Sequence, residues 1–234
     1  MLDDYGDQIY LIGDVHGCYK TLCALIDRLP RGADSKICFV GDLIDRGEGS
    51  FEVVQLAMQR GYAAVMGNHE YRFLQHKDAF LRGKMPNDLR WFFLNGGAQT
   101  FASYAKASRA QKLAHIEFLS NLPLYLEFDE FKNAQSRRLV VSHSAAGRMW
   151  PLRSSDGDSA AEFRRHVLCS RGDFSQNEGV FNVYGHTPIA EPDITNFSAN
   201  IDTGCVYKHK FGHLCALEFP SMRVFMQENI EEGG

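Results

Sequence analysis

No apolar run in this sequence is long enough to span a bilayer, which argues against a helical membrane anchor. A surplus of positive charge is also missing. Lys and Arg number 25 against 29 Asp and Glu, for a net charge of -4. Binding to DNA, RNA or anionic membrane rests on basic residues gathered on one face, so no nucleic-acid or membrane partner is expected. An anionic substrate must instead be held locally, by metal ions and a few arginines. The six cysteines form no C-x-x-C pair, so free thiols are expected and a zinc ribbon is not. None has an Arg where the phosphate loop of a cysteine phosphatase would need one. The acidic start, Met1-Leu2-Asp3-Asp4, lacks the basic and apolar stretches of a secretory signal, and a cytoplasmic location is expected.

The chain does have short apolar runs that end in polar, glycine-flanked loops. Gln8 to Ile12 reads as a buried strand and runs into Gly13-Asp14-Val15-His16-Gly17. Lys36 to Val40 repeats the pattern before Gly41-Asp42-Leu43-Ile44-Asp45-Arg46-Gly47, and Tyr62 to Met66 before Gly67-Asn68-His69-Glu70. Between them, Leu22, Leu25, Ile26 and Leu29 recur at helical spacing, and Ser50 reads as the N-cap of a helix through about Gln59, ended by Gly61. Residues 71 to 122 read as a helical insertion flanking the loops. The second half is β-rich, with strands expected at 124–128, 139–142, 180–184, 199–202, 213–219 and 223–226 and a helix near 158–167. The expected fold is α/β: two mixed sheets packed as a sandwich with helices outside, one domain spanning 1–234 whose polar tail, 228–234, frays.

Residue chemistry narrows the function. Asp14 and His16 are two apart on extended chain, hence on one side, and could chelate a metal. Taken alone, the pair is equally an Asx-turn beside a histidine. Asp42 has two oxygens and could bridge two cations, while Asp45 and Arg46 read as a surface ion pair or as a site carboxylate and a phosphate fork. Asn68 offers a neutral oxygen ligand, or a helix N-cap, and His69 a proton for a leaving oxygen, oriented by Asp45. His143 and His186 each follow a strand and suit a borderline metal, although either alone could be a structural histidine. The other histidines match no such string and are left as structural. Asp156-Gly157-Asp158 lacks a preceding strand and reads as a turn rather than an aspartyl nucleophile.

The ordered set GDVHG, GDLIDRG, GNHE, Ser142-His143-Ser144 and YGHTP resembles the phosphoprotein phosphatase branch of the calcineurin-like metallophosphoesterases, in particular bacterial and phage Ser/Thr phosphatases such as the lambda phage enzyme. The resemblance implies two divalent ions, manganese foremost, with iron, zinc, nickel or cobalt as alternatives. Asp14, His16 and Asp42 would hold the first, and Asp42, Asn68, His143 and His186 the second. It implies in-line attack by a bridging hydroxide, His69 paired with Asp45 as the acid, and Arg46, Arg171 and Asn68 on the phosphate. The implied substrate is a phosphoprotein. Symmetrical diadenosine tetraphosphate hydrolases are also similar but typically carry Ala at the place of Asp45 and GNHD in place of GNHE, so Asp45 and Glu70 favour the phosphatase branch. A dinucleoside polyphosphate hydrolase is the alternative, and a silent binding module, which should have lost ligands, a remote one.

Overall fold

The computed structural model describes residues 8–172 and 176–232. Its first sheet is built from β1 (Ile9–Ile12), β2 (Ile37–Phe39), β3 (Ala63–Ala64), β9 (His213–Phe219) and β10 (Arg223–Glu228), in the order β10-β9-β1-β2-β3. The second contains β4 (Tyr125–Lys132), β5 (Arg138–Ser142), β6 (Val180–Tyr184), β7 (Asp193–Ile194) and β8 (Ser198–Asn200), in the order β4-β5-β6-β8-β7. Both sheets are mixed: β1, β2 and β3 run parallel in one, with β9 antiparallel between β1 and β10, and β5, β6 and β8 run parallel in the other, with β4 and β7 antiparallel at its edges.

Period-two alternation explains the layering. Ile9 and Leu11 face Val141, Phe181 and Leu217 in the seam between the sheets, whereas Tyr10 and Ile12 face out, beneath Leu22 and Leu25 of helix α1 (Tyr19–Asp27). A strand covered on both faces needs apolar residues at every position, which is why β1 reads Ile-Tyr-Leu-Ile. Helix α2 (Ser50–Arg60) covers the same outer face through Val53, Val54 and Ala57. Among the described residues the insertion forms α3 (Asn68–Gln75), α4 (Lys77–Leu81), α5 (Leu89–Leu94), α6 (Gly97–Ser103) and α7 (Arg109–Ser120). Phe73, Phe80, Trp91, Tyr104, Ile116 and Leu119 extend the α1–α2 core rather than forming one of their own. Helix α8 (Gly157–Cys169) lays Phe163 and Val167 on Val140 and Val180 of the second sheet. The order of layers is helix, sheet, sheet, helix, as expected.

Two local expectations are corrected. Ser50 opens α2 as its first residue and Gly49 is the N-cap; the Ser50 hydroxyl instead accepts from the Asp45 N–H at 3.1 Å. The tail is tied down through its described residues. The Glu231 carboxylate accepts from the Thr21 N–H and hydroxyl at 2.9 and 3.1 Å, and the Asn229 N–H reaches the Gly212 carbonyl at 2.8 Å. Side-chain capping of a long-range partner overrides the polar composition that suggested fraying.

His115 belongs to the fold rather than to the site. Buried in α7, it accepts from Tyr104 Oη at 2.8 Å on Nδ1 and donates from Nε2 to Gln55 Oε1 at 3.1 Å. Burial pushes its pKa down to about 4, so the unfolded chain binds a proton below about pH 6.5 that the folded chain refuses. Stability is therefore present above that pH and is lost as the pH falls from about 6.5 towards 4, by on the order of 2 kcal/mol. His115→Gln is expected to flatten this part of the melting-temperature profile; an unchanged slope would assign the loss to other groups.

Candidate two-metal site

The parallel strands of both sheets aim their carboxyl ends at one rim, where ligands of open α/β sheets bind. Residues 13–17 follow β1, 41–47 follow β2, 67–70 follow β3, 143–144 follow β5 and 185–188 follow β6. Of the seven non-glycine residues with positive φ among the described residues, His16, Asp42, Asp45, Arg46 and His186 lie in these loops, so backbone strain is concentrated where the polar side chains converge. The loops are close enough that Gly67 admits no side chain: a Cβ there would lie 2.1 Å from Asp42 Oδ1.

His143 donates Nδ1–H to the Val40 carbonyl at 2.9 Å, which leaves its Nε2 lone pair facing inward. That nitrogen is 2.9 Å from Asn68 Oδ1, 3.1 Å from His186 Nδ1 and 3.4 Å from Asp42 Oδ1. Burial and the neighbouring His143 push His186 down to about 3, and burial lowers His143 too, so both rings are neutral at pH 7. Four acceptor-type atoms thus converge with too few protons to join them, which is a donor set for a cation.

Across Asp42 the pattern repeats. His16 gives Nδ1–H to the Ile44 carbonyl at 2.9 Å and turns Nε2 to Asp42 Oδ2 at 3.5 Å. The Arg46 guanidinium, which can only donate, lies against that same Nε2. His16, Asp42 and His69 form one group of ligand atoms within 4.8 Å, and Asp42, His143 and His186 another, so Asp42 is the member common to both. Burial disfavours its charge, yet His143, His69, His16 and His186 outweigh this and hold the carboxyl well below the usual range.

Asp14 stands beside the first group rather than in it, its oxygens accepting from the His186 N–H at 3.2 and 3.3 Å. Burial, then Asp202 and Asp42, raise its pKa well above the carboxylate range, and burial pushes Asp202 up to about 7. Three buried carboxylates that oppose one another's ionisation fit the presence of divalent cations, whose charge would offset the crowding.

Asp45 accepts from His69 Nδ1 at 2.7 Å and from Trp91 Nε1 at 2.8 Å on one oxygen, and from the Thr100 hydroxyl on the other. Burial pulls the His69 pKa down, but Asp42 and Asp45 outweigh it and the net shift is upward. Arg46 is half-buried at the rim, whereas Arg171 lies just beyond α8 and is exposed; its charge nevertheless acts on His186 and Asp202.

Four residues were not read as parts of the site from sequence. Trp91 and Thr100 bring the helical insertion to Asp45. Their signal is weak, since only the need of a buried indole N–H for an acceptor points to it. Glu70 is fully buried and its carboxylate accepts from the backbone N–H groups of Asp42, Leu43, Ile44 and Gly67 at 2.8–3.2 Å, clamping two loops together. Asp202 follows the short β8 segment Ser198-Ala199-Asn200 and precedes Thr203-Gly204, but Ile201 stands before it where a glycine precedes Asp14 and Asp42.

A family profile described as calcineurin-like phosphoesterase matches residues 8–196. The chain belongs to this family. Membership makes it a metal-dependent phosphoester hydrolase and accounts for the cation-type donor sets at the rim. Among curated relatives, the bis(5′-nucleosyl)-tetraphosphatase PrpE [asymmetrical] of Halalkalibacterium halodurans is 33% identical over 92% of this chain and 91% of its own. A solved structure described as a putative diadenosine tetraphosphatase superposes with TM-score 0.71 at 19% identity, covering 99% and 97% of the two chains. A protein serine/threonine phosphatase from Saccharomyces cerevisiae superposes at 0.59 with 14% identity, covering 99% of this chain and 83% of that one. At these identities both structures show the shared calcineurin-like fold alone. No helix among the described residues is long and apolar enough to cross a membrane.

Proposed function

We propose that this phosphoesterase is a dinucleoside polyphosphate hydrolase that splits diadenosine tetraphosphate asymmetrically, into AMP and ATP. The observation that carries the reading is the 33% identity to the asymmetrical tetraphosphatase over nine-tenths of both chains. Asp45 and Glu70, which favoured a protein phosphatase, separate this chain from the symmetrical dinucleotide hydrolases. They do not weigh against the asymmetrical ones.

In this reading His16 and Asp42, with Asp14 beside them, would hold one divalent ion, and Asp42, Asn68, His143 and His186 would hold the other, manganese being the first choice. When bound, the ions supply Lewis-acid polarisation of the phosphoryl oxygens and lower the pKa of water. The protein residues do the rest. Glu70 fixes the two loops that carry Asp42 and Asn68. Arg46, with five donors in a plane, grips phosphate oxygens, and Arg171 adds positive charge from the exposed side. Trp91 and Thr100 hold Asp45, Asp45 holds His69 through Nδ1, and the remaining nitrogen, Nε2, presents a proton to the departing oxygen.

The test is incubation of the manganese-loaded protein with diadenosine tetraphosphate and, in parallel, a phosphoserine peptide, with products separated by anion exchange. AMP and ATP in equal amounts are expected, with release abolished by chelator. ADP alone would mean symmetrical cleavage. Phosphate from the peptide with the dinucleotide intact would restore the protein phosphatase reading, which the intact His69–Asp45 pair at 2.7 Å favours because a serine alkoxide needs a proton to leave.

A further inference from the structure

Beside the metal rim lies a cavity of about 700 Å³ that the chemistry above leaves unused. Its size is that of a small-ligand pocket. Arg46 belongs to both: its guanidinium lies against His16 Nε2 on one side and sits 5.3 Å from the centre of the Tyr207 ring on the other. The cavity is therefore joined to the candidate metal ligands through the Arg46 side chain. Tyr207 is 38% exposed and stands on a closed loop, where the Tyr207 N–H bonds to Gly204 O at 2.8 Å, Phe211 N–H to Tyr207 O at 2.9 Å and Gly212 N–H to Gly204 O at 3.1 Å. The loop is tight enough that a Cβ on Gly204 would meet the Phe211 Cβ at 2.6 Å and its ring at 2.9 Å. The Tyr207 ring is thus partly exposed on a loop closed by backbone hydrogen bonds, beside the Arg46 guanidinium that also lies against His16 Nε2.

The charge of the walls favours a nucleoside over a polyphosphate tail. Lys208 and Lys210 are offset by Glu48, Glu231 and Glu232, and the Lys208 ammonium is already bonded to the Glu231 carbonyl. Gln99, exposed at the mouth, adds an amide able to donate and accept.

We propose that this cavity is a nucleoside subsite, in which the base of the nucleotide directly attached to the attacked phosphorus stacks on Tyr207 while Arg46 holds the phosphate between subsite and metals. The inference rests on the hydrolase reading for the identity of its substrate. Base stacking on an aromatic side chain is sequence-tolerant, so the subsite accepts purine nucleotides as a class.

The test compares the binding of AMP and ribose 5-phosphate to the manganese-loaded protein by calorimetry, since the two differ only in the base. AMP is expected to bind the wild type roughly tenfold more tightly or better, an advantage that falls to near one in Tyr207→Ala and survives in Tyr207→Phe. Tyr207→Leu, which keeps the bulk and lacks the π face, must repeat the loss if Tyr207→Ala does not fold. Equal binding of both probes by the wild type, or an AMP advantage that persists in the alanine and leucine variants, overturns the proposal. Cleavage of diadenosine tetraphosphate is read separately. Cleavage without an AMP advantage removes the subsite and leaves the hydrolase; a Tyr207-dependent AMP advantage without cleavage leaves the subsite and removes the hydrolase.

Discussion

Asp42→Asn is expected to lower turnover by about 10³-fold or more on every phosphoester, because a residue common to both ligand groups is lost from both at once. The substitution is nearly isosteric, and Asn Oδ1 can still accept from the His69 N–H that Asp42 Oδ1 holds at 3.1 Å. What changes is charge. In the wild type Asp42 adds to the repulsion that raises the pKa of Asp14 and Asp202, while its own charge, against the cost of burial, is favoured by His143, His69, His16 and His186; the two effects oppose, so with chelator present the variant should melt close to the wild type. Adding manganese separates the two. A ligand at one hundred times its Kd stabilises by about 2.7 kcal/mol, which for a chain of this size raises Tm by roughly 5–10 °C. The wild type should show this gain and the variant little of it, with bound manganese measured by elemental analysis falling in parallel. A variant that melts far below the wild type in chelator would make Asp42 a structural residue. One that keeps both its manganese and its Tm gain would remove it from the metal site.

How much of this was legible in the sequence follows from how local each feature is. The strands that feed Asp14, Asp42 and Asn68 could be read because a buried strand, a glycine and an oxygen-bearing ligand side chain follow in order, and the parallel order of β1, β2 and β3 then brings the three loops to one rim. His143 and His186 gave the same signal from the second sheet. Asp202 lacks the preceding glycine and sits in a string that carries no histidine or arginine, so only its burial beside Asp14 and Asp42 gives it weight. Glu70 was legible as a first-turn acid but not as a clamp, because three of the four amides it binds lie in the loop about 26–28 positions earlier.

The helical insertion marks a different limit. Its helical character was readable from composition, but the contact that matters, Trp91 and Thr100 on Asp45, joins residues 46 and 55 positions apart. Nothing local foretells that contact. The tail failed for the same reason, since its polarity suggested solvent while its partner, Thr21, lies some 210 positions away. The substrate was harder still. Five loop motifs define a metal core common to phosphatases and dinucleotide hydrolases, and choosing between them took similarity along the whole chain rather than in the motifs.

His69→Asn separates those two chemistries by leaving group. A serine alkoxide is a strong base and needs a proton as the P–O bond breaks, so loss of the acid should lower kcat on a phosphoserine peptide by about 10²–10⁴. The ATP released from a dinucleotide departs as a stabilised phosphate anion, and p-nitrophenolate leaves in the same way; both should lose far less. Asp42 and Asp45 raise the His69 pKa, which keeps the acid protonated to higher pH than a free imidazole. The wild-type rate on an alkyl phosphate should therefore fall as the pH rises through that raised pKa, and this limb should vanish in the variant. The 2.7 Å bond to Asp45 Oδ2 makes the pair a unit, so Asp45→Asn combined with His69→Asn should cost little more than either alone, as groups that act together are not additive. Losses of equal size on alkyl, aryl and dinucleotide substrates would show that His69 binds substrate or metal rather than delivering a proton. If the natural substrate is a dinucleotide, the pair should matter less to its turnover than to that of an alkyl phosphate, because the proton is most valuable for a leaving group of high basicity.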